Sequence, residues 1–257
     1  MQLTCLGGAA AWPNPGQGCS SFLLRDGEAT LLLDVGPNTI LELRKHVLYS
    51  TVTAIVVSHC HSDHILDLVP YRYGLAYGRE KPRQPIPLWM PPGGIAVLDA
   101  LAATLGGQGE AREGFWSNVF DVQEYDPDRT LTAGGFDIDF FRTEHASECY
   151  ALRVVDRSGM TLTYTADTGS IDPLVTFATG SELLIVEATL PESDEPDSSA
   201  GHLMPSQAGQ LATMASIKNV VLTHLWAERP DPEVIAGAAS TYSGNILIAK
   251  PGLVVDV

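Results

Sequence analysis

Basic residues are scarce in this chain. It carries 15 Lys and Arg against 31 Asp and Glu, a formal net charge of −16 over 257 residues. A general surface for nucleic acid or anionic lipid needs clustered Lys and Arg, so this balance disfavours both. It leaves room for a local basic groove. Cysteine is sparse as well. Cys5, Cys19, Cys60 and Cys149 form no CxxC pair and no disulfide-dense frame, so a reducing cytoplasm is the expected setting. No apolar run is long enough to cross a bilayer, and no membrane partner is expected. The start, Met1-Gln2-Leu3-Thr4-Cys5-Leu6, has no basic stretch ahead of a long apolar one, so no signal peptide is expected. No repeat of fixed period and no linker divides the chain, which predicts a single domain over residues 1–257.

Histidine, by contrast, is concentrated. Three of the seven fall in Ser58-His59-Cys60-His61-Ser62-Asp63-His64, together with Asp63. The apolar, β-branched run Thr53-Ala54-Ile55-Val56-Val57 precedes them and predicts a buried strand. Alternation along an extended chain puts His59, His61 and Asp63 on one side. The segment Ile65-Leu66-Asp67-Leu68-Val69 reads as a helix start that can swing His64 inward. Imidazole and carboxylate at a strand end suit zinc, manganese or iron. A His-rich surface loop is the plainer alternative.

The rest of the chain alternates strands and helices. Strands are predicted at Met1–Leu6, Ser21–Arg25, Thr30–Asp34, Ile86–Met90, Phe120–Tyr125, Phe136–Arg142, Tyr150–Val155, Thr161–Thr165, Leu183–Val186, Val220–Leu222 and Ile246–Ala249. Gly7-Gly8-Ala9-Ala10 reads as a tight turn, and Gly106 to Gly114 as a loop. Helices are predicted around Ile40–Leu48, from Asp67 to Tyr77, and at Pro92–Leu105, Pro173–Ala178, Pro205–Ser216 and Pro232–Ser240. Strands gathered in both halves with helices between them suit two sheets packed face to face, with helices on both outsides.

Three further residues follow apolar strands within a few positions: His145, Asp167 in Thr165-Ala166-Asp167-Thr168-Gly169, and His224 in Thr223-His224-Leu225-Trp226. Singly, each is an ordinary strand-end or turn residue. In the order His59-x-His61-x-Asp63-His64, His145, Asp167, His224, they resemble the metal-binding elements of the metallo-β-lactamase fold superfamily of metal hydrolases, over residues 1 to about 226. The resemblance implies a single α/β domain, the four-layer αββα sandwich, with two divalent metal ions between the sheets at one edge. Zinc is the first expectation, with manganese or iron as alternatives. By the same resemblance His59, His61 and His145 hold one metal, Asp63, His64 and His224 hold the other, and Asp167 bridges them. Two metals about 3.5 to 4 Å apart can share a hydroxide nucleophile and clamp the oxygens of a scissile group. Asp63 can also orient that nucleophile or accept its proton.

Within the superfamily the chain looks most like the ribonuclease Z and small-phosphodiesterase branch. The features that carry this are Leu6-Gly7-Gly8-Ala9-Ala10, Ser20-Ser21, Asp34-Val35-Gly36, Glu187-Ala188-Thr189, His202 and Leu222-Thr223-His224. Glu187-Ala188-Thr189 is similar to the His-Glu-Ala-Thr element of ribonuclease Z, with Val186 in place of the histidine. Phosphodiesterases of this kind carry a histidine where His202 stands, for the phosphate or the leaving group. Asp34 reads either as an acceptor for a ligand histidine or as a strand-end turn. Cys60 lies between two ligands, but alternation turns it toward packing. Tyr71, Arg72, Tyr73, Tyr77, Arg79, Lys81 and Arg83 form either a nucleotide-binding cluster or a helix face with a solvated turn.

Two departures bear on substrate. No insertion matches the tRNA-gripping arm of ribonuclease Z, and the acidic loop Pro191 to Ser199 opposes a long polyanion. The expected substrate is therefore a small phosphodiester such as a cyclic nucleotide. A tRNA 3′-processing endonuclease is the alternative. An acyl hydrolase and a non-catalytic metal-binding protein stand behind it. A homodimer is expected by analogy only.

Overall fold

The computed structural model describes residues 1–106, 114–192 and 201–257. Its first half runs β1 (Gln2–Ala9), β2 (Gly18–Cys19), β3 (Ser21–Asp26), β4 (Ala29–Leu33), α1 (Thr39–His46), β5 (Ala54–Val56), α2 (Ser62–Ile65), α3 (Leu68–Tyr77), β6 (Ile86–Met90), α4 (Gly94–Leu105) and β7 (Phe120–Glu124). The second half runs β8 (Leu131–Ala133), β9 (Phe136–Arg142), β10 (Tyr150–Val155), β11 (Thr161–Tyr164), α5 (Asp172–Ala178), β12 (Leu183–Glu187), α6 (Pro205–Met214), β13 (Asn219–Thr223), α7 (Asp231–Ala239), β14 (Asn245–Ile248) and β15 (Val254–Asp256).

These strands make two sheets. The first has the order β15-β1-β3-β4-β5-β6-β7, with β2 beside β1; the second has the order β14-β13-β12-β11-β10-β9-β8. Each central strand has two apolar faces, so consecutive residues serve different cores. In β4, Leu31 and Leu33 join the core between the sheets, while Leu32 joins the one under α1, α3 and α4. In β12, Leu183 and Ile185 face the central core, while Leu184 and Val186 pack under α5, α6 and α7. The layers are therefore helix, sheet, sheet, helix, as the resemblance implies. Each buried leucine contributes on the order of 1.5–3 kcal/mol.

The site is positioned by chain direction. β4, β5, β6 and β7 run parallel, as do β11, β12, β13 and β14. Parallel strands end together, and polar residues collect where they end. Asp34 follows β4, His59 to His64 follow β5, Asp167 follows β11, Glu187 ends β12 and His224 follows β13.

The structure corrects several expectations. Gly7, Gly8 and Ala9 are not a turn but the end of β1. Their small size serves close approach. A Cβ on Gly7 would stand 2.1 Å from the Cys19 carbonyl oxygen, and one on Gly8 2.8 Å from Thr223 Oγ1. The strands β2, β8 and β15 were not foreseen. Each has only two or three residues and exists because a longer neighbour pairs with it. The loop predicted over Gly106 to Gly114 and the acidic loop of Pro191 to Ser199 lie largely outside the described residues. No helix among those described is long and apolar enough to cross a membrane.

Candidate metal centre

The donors are brought together from four places in the chain: residues 59–64, His145, Asp167 and His224. The strand β5 stops at Val56, and His59 to His61 continue extended until α2 starts at Ser62. His59 and His61 therefore share one direction, as alternation predicts, and meet His145 and Asp167. Asp63 does not stay with them. The first turn of α2 carries it, with His64, toward His224. Within each of these two groups the donor atoms lie within 4.8 Å of one another. Asp167 sits between them: its Oδ2 is 3.6 Å from His59 Nε2, 3.7 Å from His145 Nε2 and 3.5 Å from His224 Nε2, and its Oδ1 is 3.5 Å from His64 Nε2.

Three of these atoms, His59 Nε2, His64 Nε2 and Asp167 Oδ1, are buried with no hydrogen-bond partner among the described residues. Orphaned buried polar atoms are rare because each costs about 1–3 kcal/mol. Three converging lone-pair atoms are explained by a cation that all of them can ligate. The cluster fits a metal, and its nitrogen and carboxylate donors suit a divalent one.

The opposite ring nitrogens are held from outside. His64 Nδ1 lies 2.8 Å from Asp34 Oδ2. Asp34 also accepts the Ser58 N–H at 2.7 Å, the Ser58 hydroxyl at 2.8 Å and the Tyr164 hydroxyl at 3.0 Å. The acceptor role for Asp34 therefore holds. His145 Nδ1 lies 2.9 Å from the Gly201 carbonyl oxygen, and His224 Nδ1 lies 2.7 Å from Thr189 Oγ1. Such partners fix the tautomer that leaves the inner nitrogen free.

Charge follows the same geometry. Burial, with the neighbouring His64, pushes His59 well below the usual histidine pKa. Burial opposes the proton on His64 too, but Asp167 and Asp34 outweigh it and hold the proton on. The Asp63 carboxyl, despite burial, is lowered by its hydrogen bond to His224 and by His64.

His202 stands beside the cluster. Its ring stacks on His224 with centroids 5.2 Å apart, and one of its nitrogens lies within 4.8 Å of Asp167 and His224 donors. Its Nδ1 is 2.9 Å from Glu187 Oε1. Burial lowers the His202 pKa, but the Glu187 hydrogen bond and charge raise it further, for a net rise. Glu187 is buried and accepts four more donors: the Thr168 N–H at 2.8 Å, the Leu203 N–H at 3.3 Å, the Thr189 N–H at 3.4 Å and the Thr189 hydroxyl at 2.5 Å. Thr189 entered the sequence reading only as part of the Glu187-Ala188-Thr189 element, with no role of its own. The available signal was its place two residues after Glu187, which puts both side chains on one face.

Backbone strain gathers here. Of the six non-glycine residues with positive φ among the described residues, four are Ala11, Asp34, Ala166 and His224. Each is a donor or its partner, or adjoins one. That conformation persists only where surroundings enforce it, and functional sites are its usual place. Gly36 serves the same end by close approach, since a Cβ there would stand 2.0 Å from the Asp63 carbonyl oxygen.

Residues 29–225 match the family model described as the Beta-lactamase superfamily domain. The chain belongs to the β-lactamase superfamily. It is 31% identical to the probable metallo-hydrolase YhfI of Bacillus subtilis over 256 residues, covering 99% of both chains. The crystal structure of YhfI, a metallo-β-lactamase fold protein, superposes with a TM-score of 0.86 at 28% identity over 99% of each chain. Ribonuclease Z of Haloferax volcanii is 25% identical over 305 residues, covering 100% of this chain and 95% of the relative. A diphosphatase from the PhnP family shares the fold at a TM-score of 0.72 and 20% identity, over 100% of this chain and 97% of the other. As a superfamily member, the chain is a metal-dependent hydrolase with the metallo-β-lactamase fold.

Other singled-out residues lie elsewhere. Cys60 packs against the apolar cluster beneath α3 and α4, and burial pushes its thiol up to about 11. It belongs to none of the donor groups. In the basic, aromatic cluster, buried Arg72 donates to the Phe115 carbonyl at 2.7 Å and lies between the Phe115 and Tyr73 rings. Lys81 caps the Leu75 and Ala76 carbonyls. A cavity of about 380 Å³ lined by Arg72, Tyr77, Lys81 and Arg83 includes none of the seven candidate donor residues. The helix-face reading of this cluster is the better one.

Proposed function

We propose that this hydrolase is a binuclear phosphodiesterase for small phosphodiesters, with a cyclic nucleotide as the representative substrate. The observation that carries the proposal is the His202–Glu187 pair at 2.9 Å beside the donor cluster. An imidazole kept protonated by a buried carboxylate suits protonation of a departing alkoxide. His59, His61 and His145 would hold one metal ion, Asp63, His64 and His224 the second, and Asp167 would reach both. Zinc suits these donors best, with manganese or iron as alternatives. When bound, two such ions supply a nucleophile from water at neutral pH and neutralise charge on a phosphoryl group.

The remaining steps belong to the protein. Asp34 and Thr189 keep His64 and His224 in the tautomer that faces inward. Asp63, fixed by the Ala11 N–H at 2.8 Å, orients the attacking oxygen. His202 passes its proton to the leaving oxygen through the nitrogen not taken by Glu187. Glu187, tied to four other donors, keeps the His202 ring in place and its charge favourable.

Ribonuclease Z-like cleavage of tRNA is the second reading, favoured by the 25% identity to the Haloferax enzyme. That alignment runs over 305 positions, 48 more than the 257 residues here, which supports a shorter chain lacking an RNA-gripping arm. The net charge of −16 supports the smaller substrate as well.

The test is hydrolysis of bis(p-nitrophenyl) phosphate by protein loaded in turn with zinc and manganese, with Asp63→Ala as control. Turnover that disappears in the variant is expected, after which cyclic nucleotides and a tRNA precursor are compared. No turnover with two metals demonstrably bound refutes the phosphodiesterase reading and shifts the weight to ester and lactone substrates.

A further inference from the structure

The loop after β1 holds a tryptophan in water beside the metal centre. Of the four tryptophans, Trp116 is buried and Trp89 and Trp226 are half-buried, but Trp12 is 60% exposed. Its indole makes no hydrogen bond or ring contact among the described residues. A large apolar ring left in solvent gains nothing for folding.

The backbone that presents it is constrained. Ala11 has φ +55°, a conformation L-residues avoid, and the Trp12 N–H donates to the Ala10 carbonyl at 2.5 Å across a three-residue turn. Two ties impose that turn. The Ala11 N–H donates to Asp63 Oδ2 at 2.8 Å. Asn14 brackets Trp226, donating through Nδ2 to the Leu225 carbonyl at 2.9 Å and accepting the Ala227 N–H at 3.1 Å. Trp226 itself lies two residues beyond His224. The rim is thus one connected piece, anchored on Asp63 at one side and on the His224 segment at the other. Successive Cα atoms are about 3.8 Å apart, so Trp12 is rooted one residue from an amide bonded to the metal centre. That is within the span of a single nucleotide.

We infer that Trp12 determines specificity by stacking on the base of a nucleotide whose phosphodiester lies at the donor cluster. The inference rests on the phosphodiesterase reading above and names its substrate class more closely. A base is uncharged and every base has a π-face, so an indole binds it where an acidic protein offers few cations.

The test measures binding of adenosine 5′-monophosphate and of ribose 5-phosphate, which lacks the base, to the metal-loaded protein by calorimetry. Wild type, Trp12→Ala and Trp12→Phe are compared. The exposed position makes both variants compatible with folding, and their thermal midpoints check it. Wild type is expected to bind the nucleotide about tenfold more tightly than the sugar phosphate. Trp12→Ala should erase that preference, Trp12→Phe should keep most of it, and ribose 5-phosphate should bind all three alike. A preference unchanged in Trp12→Ala, an equal loss of both ligands, or no preference in wild type overturns the proposal alone. Failure of wild type with two metals bound to take up either compound overturns the phosphodiester reading together with it.

Discussion

Two histidine–glutamate pairs in this protein have the same length and different meanings. On α1, His46 Nε2 lies 2.9 Å from Glu42 Oε1, one helical turn apart. Beside the metal centre, His202 Nδ1 lies 2.9 Å from Glu187 Oε1, across 15 residues of chain. The difference is in what the other atoms do. Glu42 shares its second oxygen with Lys45 at 2.6 Å, a lysine that is itself exposed to solvent. Glu187 is fully buried, and its oxygens also answer Thr168, Leu203 and Thr189. The first pair supports a helix. The second holds one ring against a cluster of orphaned donors. A contact of given length says little about function until the remaining valences of both partners are followed.

The sharpest way to break the comparison is to remove what His202 faces and His46 does not. Asp167→Ala should abolish hydrolysis and lower the stoichiometry of bound metal, measured by elemental analysis, whereas His46→Ala should leave both at wild-type levels. Retention of two metals per chain in Asp167→Ala would show that Asp167 is not shared between them. Next, His202→Ala should lower kcat by about 10²–10⁴-fold with two metals still bound. A parallel loss of one metal would instead make His202 a ligand.

Glu187→Gln should act more gently and through pH. The carboxylate raises the His202 pKa, so the proton is retained to higher pH in the wild type. Removing the charge lowers that pKa, and the alkaline limb of the kcat profile should move to lower pH. An unmoved limb with a reduced plateau would assign Glu187 to packing alone. The smallest effect belongs to α1. Burial opposes the Glu42 charge, but hydrogen bonds to Lys45 and His46 outweigh it and depress the carboxyl pKa below its ordinary value of 4.5. A depressed carboxylate stabilises above its unfolded pKa and loses that effect as pH falls through the folded value. Glu42→Gln should therefore cost only about 0.3–0.5 kcal/mol near neutrality, by denaturant titration, and nothing at low pH. Activity should not change.

The amino-acid sequence determined the layers and the inventory of donors. Apolar runs such as Leu31–Leu33 and Leu183–Val186 have two buried faces whatever they pack against, so strands with helices on both sides follow from them. His59, His61 and His64 are crowded by covalent connection alone, and strand ends at Thr165 and Leu222 marked Asp167 and His224 as candidates. Local pattern did not extend to partners and directions. It read Gly7 to Ala9 as a turn, because small residues in a loop and small residues under a neighbouring strand look alike. It left Asp63 on the side of His59, because only the onset of α2 at Ser62 turns it toward His224. Asp34 had two readings, Glu187 and Thr189 stood only as parts of a motif, and Tyr164 and Ala11 had none. What decides their roles is which atoms lie within about 3 Å across 15 to 130 residues of chain. Two sheets packing face to face set those distances. Hydrogen-bond valence is spent on spatial neighbours, and a sequence lists neighbours only along the chain.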